Sequence, residues 1–268
     1  MLMPFFGIES ELLAPQHLFS IGPLSITNTM LFGLLTAAFV VIVFGTAAKA
    51  SRVWPKSRFA FWVESLVELM LGIITESFGD RKRALRFFPL LITLFSFILA
   101  ANLSGLLPGV GTLTYSVGGQ HVSFFRSFTT DLNSTLAMAV FSLTIVQIYA
   151  FSELGLGGRF RYYFTNQWWK PGHIFIGLNE LFSETLRLVT LSLRLFGVIY
   201  GGEALLNAFL QLAGNFAWAA MLPIMFLEIF FSLVQAYLFM MLTSTYLVMS
   251  VSHGEEHAAA SQPMEAHS

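Results

Sequence analysis

The strongest constraint on this chain is a run of 22 residues, from Thr27 to Ala48, without one charged side chain. As a helix rising about 1.5 Å per residue, such a run crosses the ~30 Å hydrocarbon core of a bilayer. The rest of the sequence has the same character. It is 56% hydrophobic and 11% charged over 268 residues, where a soluble domain carries about 25% charged residues. Disorder, which needs low hydrophobicity and high charge, is excluded by the same numbers. The length allows roughly five or six crossings with their loops. A net charge of −1 offers nothing to nucleic acid. The absence of cysteine removes disulfides, iron–sulfur clusters and thiolate zinc sites together. The six histidines lie almost entirely in loops and tail, so no metal and no cofactor is expected.

The placement of the charges predicts a topology. Residues 1–48 contain no Lys or Arg, and none follows Arg194. Eight of the fourteen basic residues fall in one window: Lys49, Arg52, Lys56 and Arg58, then Arg81, Lys82, Arg83 and Arg86. The positive-inside rule puts that window on the inner side. Residues 27–48 are then a first span entering from an outer N-terminus. Over 59–79 the residues Glu64, Ser65, Glu68, Gly72, Thr75, Glu76 and Gly79 share an arc of about 120° on a helical wheel. Flanked by basic clusters, this segment reads as an interfacial helix returning to the same face; an ordinary span with a polar stripe is the alternative. A second span over 87–107 leads outward and a third over 131–151 leads back, with Asp131 and Asn133 suited to a helix N-terminus. Arg159, Arg161 and Lys170 hold the next loop inside.

Residues 173–213 and 216–252 are each too long to stand upright in a bilayer, at roughly 55–60 Å against ~30 Å of hydrocarbon. They are expected to form a tilted hairpin turning at Gly214-Asn215, with Pro223 marking a kink or a delayed start and 253–268 a flexible tail. One face of the first helix carries Asn179, Glu180, Ser183, Arg187, Thr190, Arg194, Gly197 and Gly201. Glu203 lies nine residues beyond Arg194, about 180° round the helix and ~13–14 Å along it. The two are therefore not a helical ion pair. On the last helix Glu228, Ser232, Gln235, Thr243, Tyr246 and Ser250 share an arc of roughly 80°. In a hairpin Gln235 could approach Arg194, and Glu228 could approach Glu203. A charge at mid-bilayer costs ~2.5–3.5 kcal/mol on insertion scales and usually marks an ion path. A structural ion pair, or packing through the GxxxG of Gly197 and Gly201, is the bland account.

Ser192-Leu-Arg194-Leu-Phe-Gly197, Tyr200-Gly-Gly-Glu203 and Gln235-Ala-Tyr-Leu-Phe-Met resemble subunit a of the F-type ATP synthase membrane sector. Asn102-Leu-Ser-Gly-Leu-Leu-Pro108 and Asp131-Leu-Asn133 are similar to weaker landmarks of that family. The resemblance runs from about residue 60 to the end. It implies an all-α polytopic membrane protein with about five crossing helices plus an interfacial helix. That protein offers two offset proton half-channels to a rotating c-subunit ring, and is no enzyme by itself. By the same resemblance Arg194 falls on the stator arginine, Glu203 on a half-channel carboxylate and Gln235 on the glutamine facing the arginine. Glu228 takes a position that is His in many bacterial members and Glu in mitochondrial ones. Glu203 and Glu228 would serve the outer half-channel. Ser183, Glu184 and Arg187 would lie nearer the inner exit, with Glu180, Asn102 and Asp131 as secondary lining candidates. The implied partners are the c-ring, peripheral-stalk b subunits, the remainder of the complex and the lipid. The want of an Arg/Ser-rich leader favours a bacterial plasma membrane over a mitochondrial one.

Three other readings compete. A secondary transporter would use Arg194 to bind an anion at the midplane, usually within internal repeats, yet the first half of the chain holds no second copy of the Arg194 segment. A transmembrane hydrolase needs a nucleophile with a partner base inside helices, and no histidine sits there to serve a serine. A purely structural membrane subunit would have no use for Arg194 in ion flux.

Overall fold

The computed structural model describes residues 17–21, 24–50, 58–107, 114–117, 120–123, 126–163, 171–213 and 217–260. It is built from six helices: α1 (Asn28–Ala50), α2 (Arg58–Phe78), α3 (Arg81–Gly105), α4 (Leu132–Tyr163), α5 (Pro171–Ala213) and α6 (Ala217–Ala260). Two antiparallel hairpins, which the hydrophobic pattern does not announce, lie outside them. One pairs β1 (His17–Ile21) with β2 (Leu24–Thr27), and the other pairs β3 (Thr114–Val117) with β4 (Gln120–Ser123). Five helices contain a segment long and apolar enough to cross a membrane: Asn28–Lys49, Arg81–Gly105, Leu132–Tyr149, Val189–Leu206 and Met221–Met249. Helix α2 is not among them.

The expected boundaries shift at several helix ends, each for a local reason. The α2–α3 junction is a two-residue turn. Gly79 takes a left-handed conformation (φ 67°), which ends α2 without the steric cost a side chain would meet. Asp80 then caps α3 by accepting from the Lys82 N–H at 3.1 Å. The second span therefore starts at Arg81, six residues before the apolar run. Pro223 lies inside α6 and does not delay its start. At the other end α6 continues to Ala260, so the first eight residues expected to form a flexible tail, His253–Ala260, are helical.

Helix α3 is the central post. Ala84, Phe87, Leu91, Leu94, Phe95, Ile98, Ala101 and Asn102 recur at helical spacing and are buried along it. Met70, Ile74 and Phe78 of α2 pack against this stripe, as do Ala236, Phe239, Met240 and Leu247 of α6. Phe87 stacks on Phe78 at 5.3 Å between centroids and meets Tyr149 of α4 edge-on at 4.8 Å. In lipid such packing, more than expulsion of water, holds helices together, which suits the fully buried alanines 101, 139 and 236. The outward side is apolar: Leu34, Phe39, Val41 and Ile42 of α1 are all more than half exposed, a surface fit for lipid and unfit for water.

The loop before α4 dips into the protein. Its 3-10 turn, Phe128–Thr130, drives Phe128 between Gly33 of α1 and Phe97 of α3, whose ring it meets at 5.6 Å. Gly33 is required there because a Cβ would overlap the Phe128 ring, whereas Gly45, toward the C-terminal end of the same helix, faces open space. Gly33→Ala should therefore lower the thermal midpoint of the purified protein by several degrees, the consequence of about 1–3 kcal/mol of overpacking. Gly45→Ala should leave it level or raise it slightly. Equal midpoints for the two variants would contradict this packing.

Candidate functional site

The midsection of α5 sorts its charges by helical geometry. Leu191, Ser192, Leu195 and Ile199 are buried and define the face turned to the bundle. Arg194 falls on one flank of that face, exposed beside Leu193. Among the described residues it forms no ion pair and no hydrogen bond. Glu203 falls on the other flank and is partly buried. The nine-residue spacing thus separates cation and carboxylate onto opposite edges of one helix.

Glu203 meets the C-terminal end of α3. Its Oε1 lies 3.8 Å from where a Cβ on Gly105 would stand, and Ser127 presses on the same glycine at 3.0 Å. A Cβ at 105 would stand in ordinary contact with Glu203 and would require Ser127 to give way. Two charged groups act on Glu203 through space, Arg126 and Glu228. Arg126 is half-buried in the loop before α4, and its Nε–H donates to Thr130 Oγ1 at 3.2 Å. In the sequence Arg126 has the look of an ordinary loop residue. Its solitude between Arg86 and Arg159 was the available signal, but only the inward dip of the loop gives that signal a place.

Helix α6 turns its polar stripe inward. Glu228, Ser232, Gln235 and Thr243 are all buried, while Leu222, Phe226, Phe230 and Leu233 face out. Glu228 packs against Gly202, where an added Cβ would stand 3.1 Å from its Oε1. The hairpin therefore brings Glu228 to the turn of α5 that carries Glu203. Gln235 and Arg194 are not joined: one is buried, the other exposed, and no hydrogen bond links them. Glu228 Oε2, Ser232 Oγ, Gln235 Nε2 and both side-chain polar atoms of Asn102 are buried without a hydrogen-bond partner among the described residues. A buried polar atom left unmet costs ~1–3 kcal/mol, and three of these five atoms lie on the inward face of α6.

The remaining candidates divide. Asp131 is buried as the N-cap of α4. Its carboxylate accepts from Asn133 N–H at 3.1 Å, Ser134 Oγ at 2.9 Å and Thr29 Oγ1 at 3.5 Å. Arg187, half-buried in the N-terminal half of α5, holds its guanidinium 4.7 Å over the Tyr246 ring of α6. Ser183 is partly buried on the same helix. Glu180 and Glu184 belong to α5, but their side chains lie outside the described residues.

Comparison with known proteins finds the following similarities. Residues 29–248 match the family model described as ATP synthase A chain. A protein named ATP synthase subunit a from Moorella thermoacetica is 31% identical over 241 residues, covering 90% of this chain and 97% of that one. One of the same name from Desulfotalea psychrophila is 34% identical over 227 residues, 84% of each chain. Another from Enterococcus hirae is 30% identical over 239 residues, 85% of this chain and 94% of that one.

The two adjacent glycines of α5 give a test of the Glu228 placement. Nothing stands within 4 Å of a Cβ on Gly201, so Gly201→Ala should stabilise α5 by up to about 1 kcal/mol. Gly202→Ala has to push Glu228 aside and should lose that gain. Thermal unfolding of the two purified variants compares them, and a Gly202→Ala midpoint as high as that of Gly201→Ala would place Glu228 elsewhere.

Proposed function

The chain belongs to the ATP synthase A chain family, and from that footing we propose that it is the stationary ion-conducting subunit of the membrane sector. It offers two offset half-channels to a rotating c-ring and couples proton movement to ATP synthesis. The observation that carries this reading is the opposed placement of the charges on α5. Arg194 faces out of the bundle with no partner among the described residues, while Glu203 lies partly buried on the other flank.

An outward arginine at membrane depth suits a ring of carboxyl-bearing subunits moving past it. A fixed cation favours the ionised carboxylate, so a ring site gives up its proton before it passes. Arginine is effectively never deprotonated, so it blocks proton leakage between the half-channels and cannot relay it. Lysine, a compact ammonium that loses its proton readily on burial, is a poor replacement. Each proton crossing the membrane brings ~2.3 kcal/mol per 100 mV, and offset channels turn that work into rotation.

The outer half-channel is formed by Asn102, Glu203, Glu228 and Gln235, with Asp131 and Arg126 at its border. Water drawn in along this path meets the polar atoms that the protein leaves unmet. Glu203 and Glu228 then pass protons inward from carboxyl to water. The inner half-channel runs past Ser183, Glu180, Glu184 and Arg187. Helix α2 lies along the inner interface: its Glu64, Glu68 and Glu76 are exposed, and Met70, Ile74 and Phe78 seal it to the bundle. That acidic edge and the basic residues around it face peripheral-stalk b subunits and the rest of the complex. The membrane is a bacterial plasma membrane, with the N-terminus outside and the C-terminus in the cytoplasm.

Two variants test the reading in vesicles holding the whole ATP synthase. Arg194→Ala should reduce ATP-driven proton pumping to background while the complex still assembles, and Arg194→Lys should recover little of it. Glu203→Gln should slow pumping by at least about tenfold with normal assembly. Undiminished pumping by Arg194→Ala would overturn the proposal, and an assembly defect as the sole effect of Glu203→Gln would remove its channel role.

A further inference from the structure

A chain of hydroxyl contacts runs across three helices and ends two residues from Arg194. Thr135, one turn into α4, and Ser192 of α5 are both buried, and their hydroxyl oxygens lie 3.2 Å apart. Proton bookkeeping fixes the direction of this bond. Thr135 Oγ1 also lies 3.0 Å from the Leu132 carbonyl, to which it donates, so it has only lone pairs to offer Ser192, which must donate. The same logic runs upstream. Met30 N–H donates to Thr27 Oγ1 at 3.3 Å, Thr27 sits 3.0 Å from Thr29 Oγ1, and Thr29 donates to Asp131. Asp131 in turn fixes the first turn of α4 through its cap and through Thr135 N–H, which donates to its carbonyl at 3.1 Å.

We infer that the Thr135–Ser192 hydrogen bond is an azimuthal brace, with Thr135 and Ser192 as positioning residues that hold the rotation of α5 and so aim Arg194 out of the bundle. The inference rests on the reading of Arg194 as the charge that faces the ring. Apolar packing alone defines that rotation weakly. Leu191, Leu195 and Ile199 are similar in size, and a slip between such residues costs little. A directed bond between buried hydroxyls, in lipid where no water replaces it, does not tolerate such a slip. A turn of 20–30° about the axis of α5 would swing the long Arg194 side chain by several ångströms, enough to open a leak past it.

The whole ATP synthase in vesicles tests the brace. Thr135→Val removes the hydroxyl at nearly constant shape, Ser192→Ala removes its partner, and Thr135→Ser keeps the bond. ATP-driven pumping per ATP hydrolysed should fall roughly fivefold in each of the first two, the size of one lost hydrogen bond. Passive proton leak should rise, and Thr135→Ser should keep both near the parent values. The double variant Thr135→Val/Ser192→Ala should be no worse than the worse single one, because both remove the same bond. Additive losses, or a fall in assembly with the coupling ratio unchanged, would overturn the brace. If Thr135→Val fails to assemble, Ser192→Ala alone carries the test, and a coupling ratio and leak equal to the parent's would overturn the brace. Arg194→Ala in the same vesicles separates the two ideas. Should it abolish pumping while the hydroxyl variants stay fully coupled, the brace fails and the ring-facing arginine stands; should it pump normally, both fail.

Discussion

An arginine side chain exposed on the outside of an apolar bundle is the constraint that organises this protein. Inside the bundle Arg194 could be neutralised by Glu203 or Glu228, and the chain would then be an inert span with a buried ion pair. The helical repeat prevents it. Nine residues carry Glu203 half a turn away from Arg194, and the Leu191–Leu195–Ile199 face stands between them. A cation at membrane depth without an internal partner requires one from outside the chain. The rotating carboxyl groups of the ring are the partner proposed for it.

The other polar groups turn into the bundle, and the proposed outer half-channel rests on that placement. The loop before α4 dips into the bundle and is made tolerable there by Ser127, Thr129, Thr130 and Asp131, all buried, which satisfy its backbone and one another. Glycine makes room at the contacts: Gly33 for Phe128, Gly105 for Ser127 and Glu203, Gly202 for Glu228. Helix α6 then continues the polar line downward with Glu228, Ser232 and Gln235, one helical face whose polar atoms are not all met by protein. Packing residues and the residues of the proposed path are interleaved on the same helices.

Much of this was legible in the sequence because it depends on one helix at a time. The spans, the opposition of Arg194 and Glu203, the polar stripe of α6 and the capping role of Asp131 all follow from a periodicity of 3.6 residues and local hydrogen bonding. The approach of Glu228 to Glu203 followed from assuming a hairpin. What escaped depends on register between helices or on loops. Thr135 and Ser192 are 57 residues apart, and nothing in either segment announces the other. Arg126 acquires meaning only when its loop folds inward. The strands of the two β-hairpins are only four or five residues long, too brief for alternation to be read. The helical continuation of α6 through His253–Ala260 runs against a composition that suggests a solvated end. Arg194 and Gln235 could approach on a wheel, but Arg194 lies on an exposed flank of α5 while Gln235 is buried.

The central claim is that the surface around Arg194 meets a ring of small carboxyl-bearing subunits. Leu193 is 49% exposed beside that arginine, and the chain contains no cysteine of its own. A single cysteine at Leu193, in membranes holding the assembled complex, reports on what lies opposite. Paired with a cysteine placed one turn from the ring carboxyl group, it should form a disulfide on mild oxidation, which requires Cα atoms within about 7 Å. Failure to cross-link to any position along the ring helix, with free reaction of the same cysteine toward a lipid-soluble maleimide, would show that Arg194 faces lipid and would contradict the account.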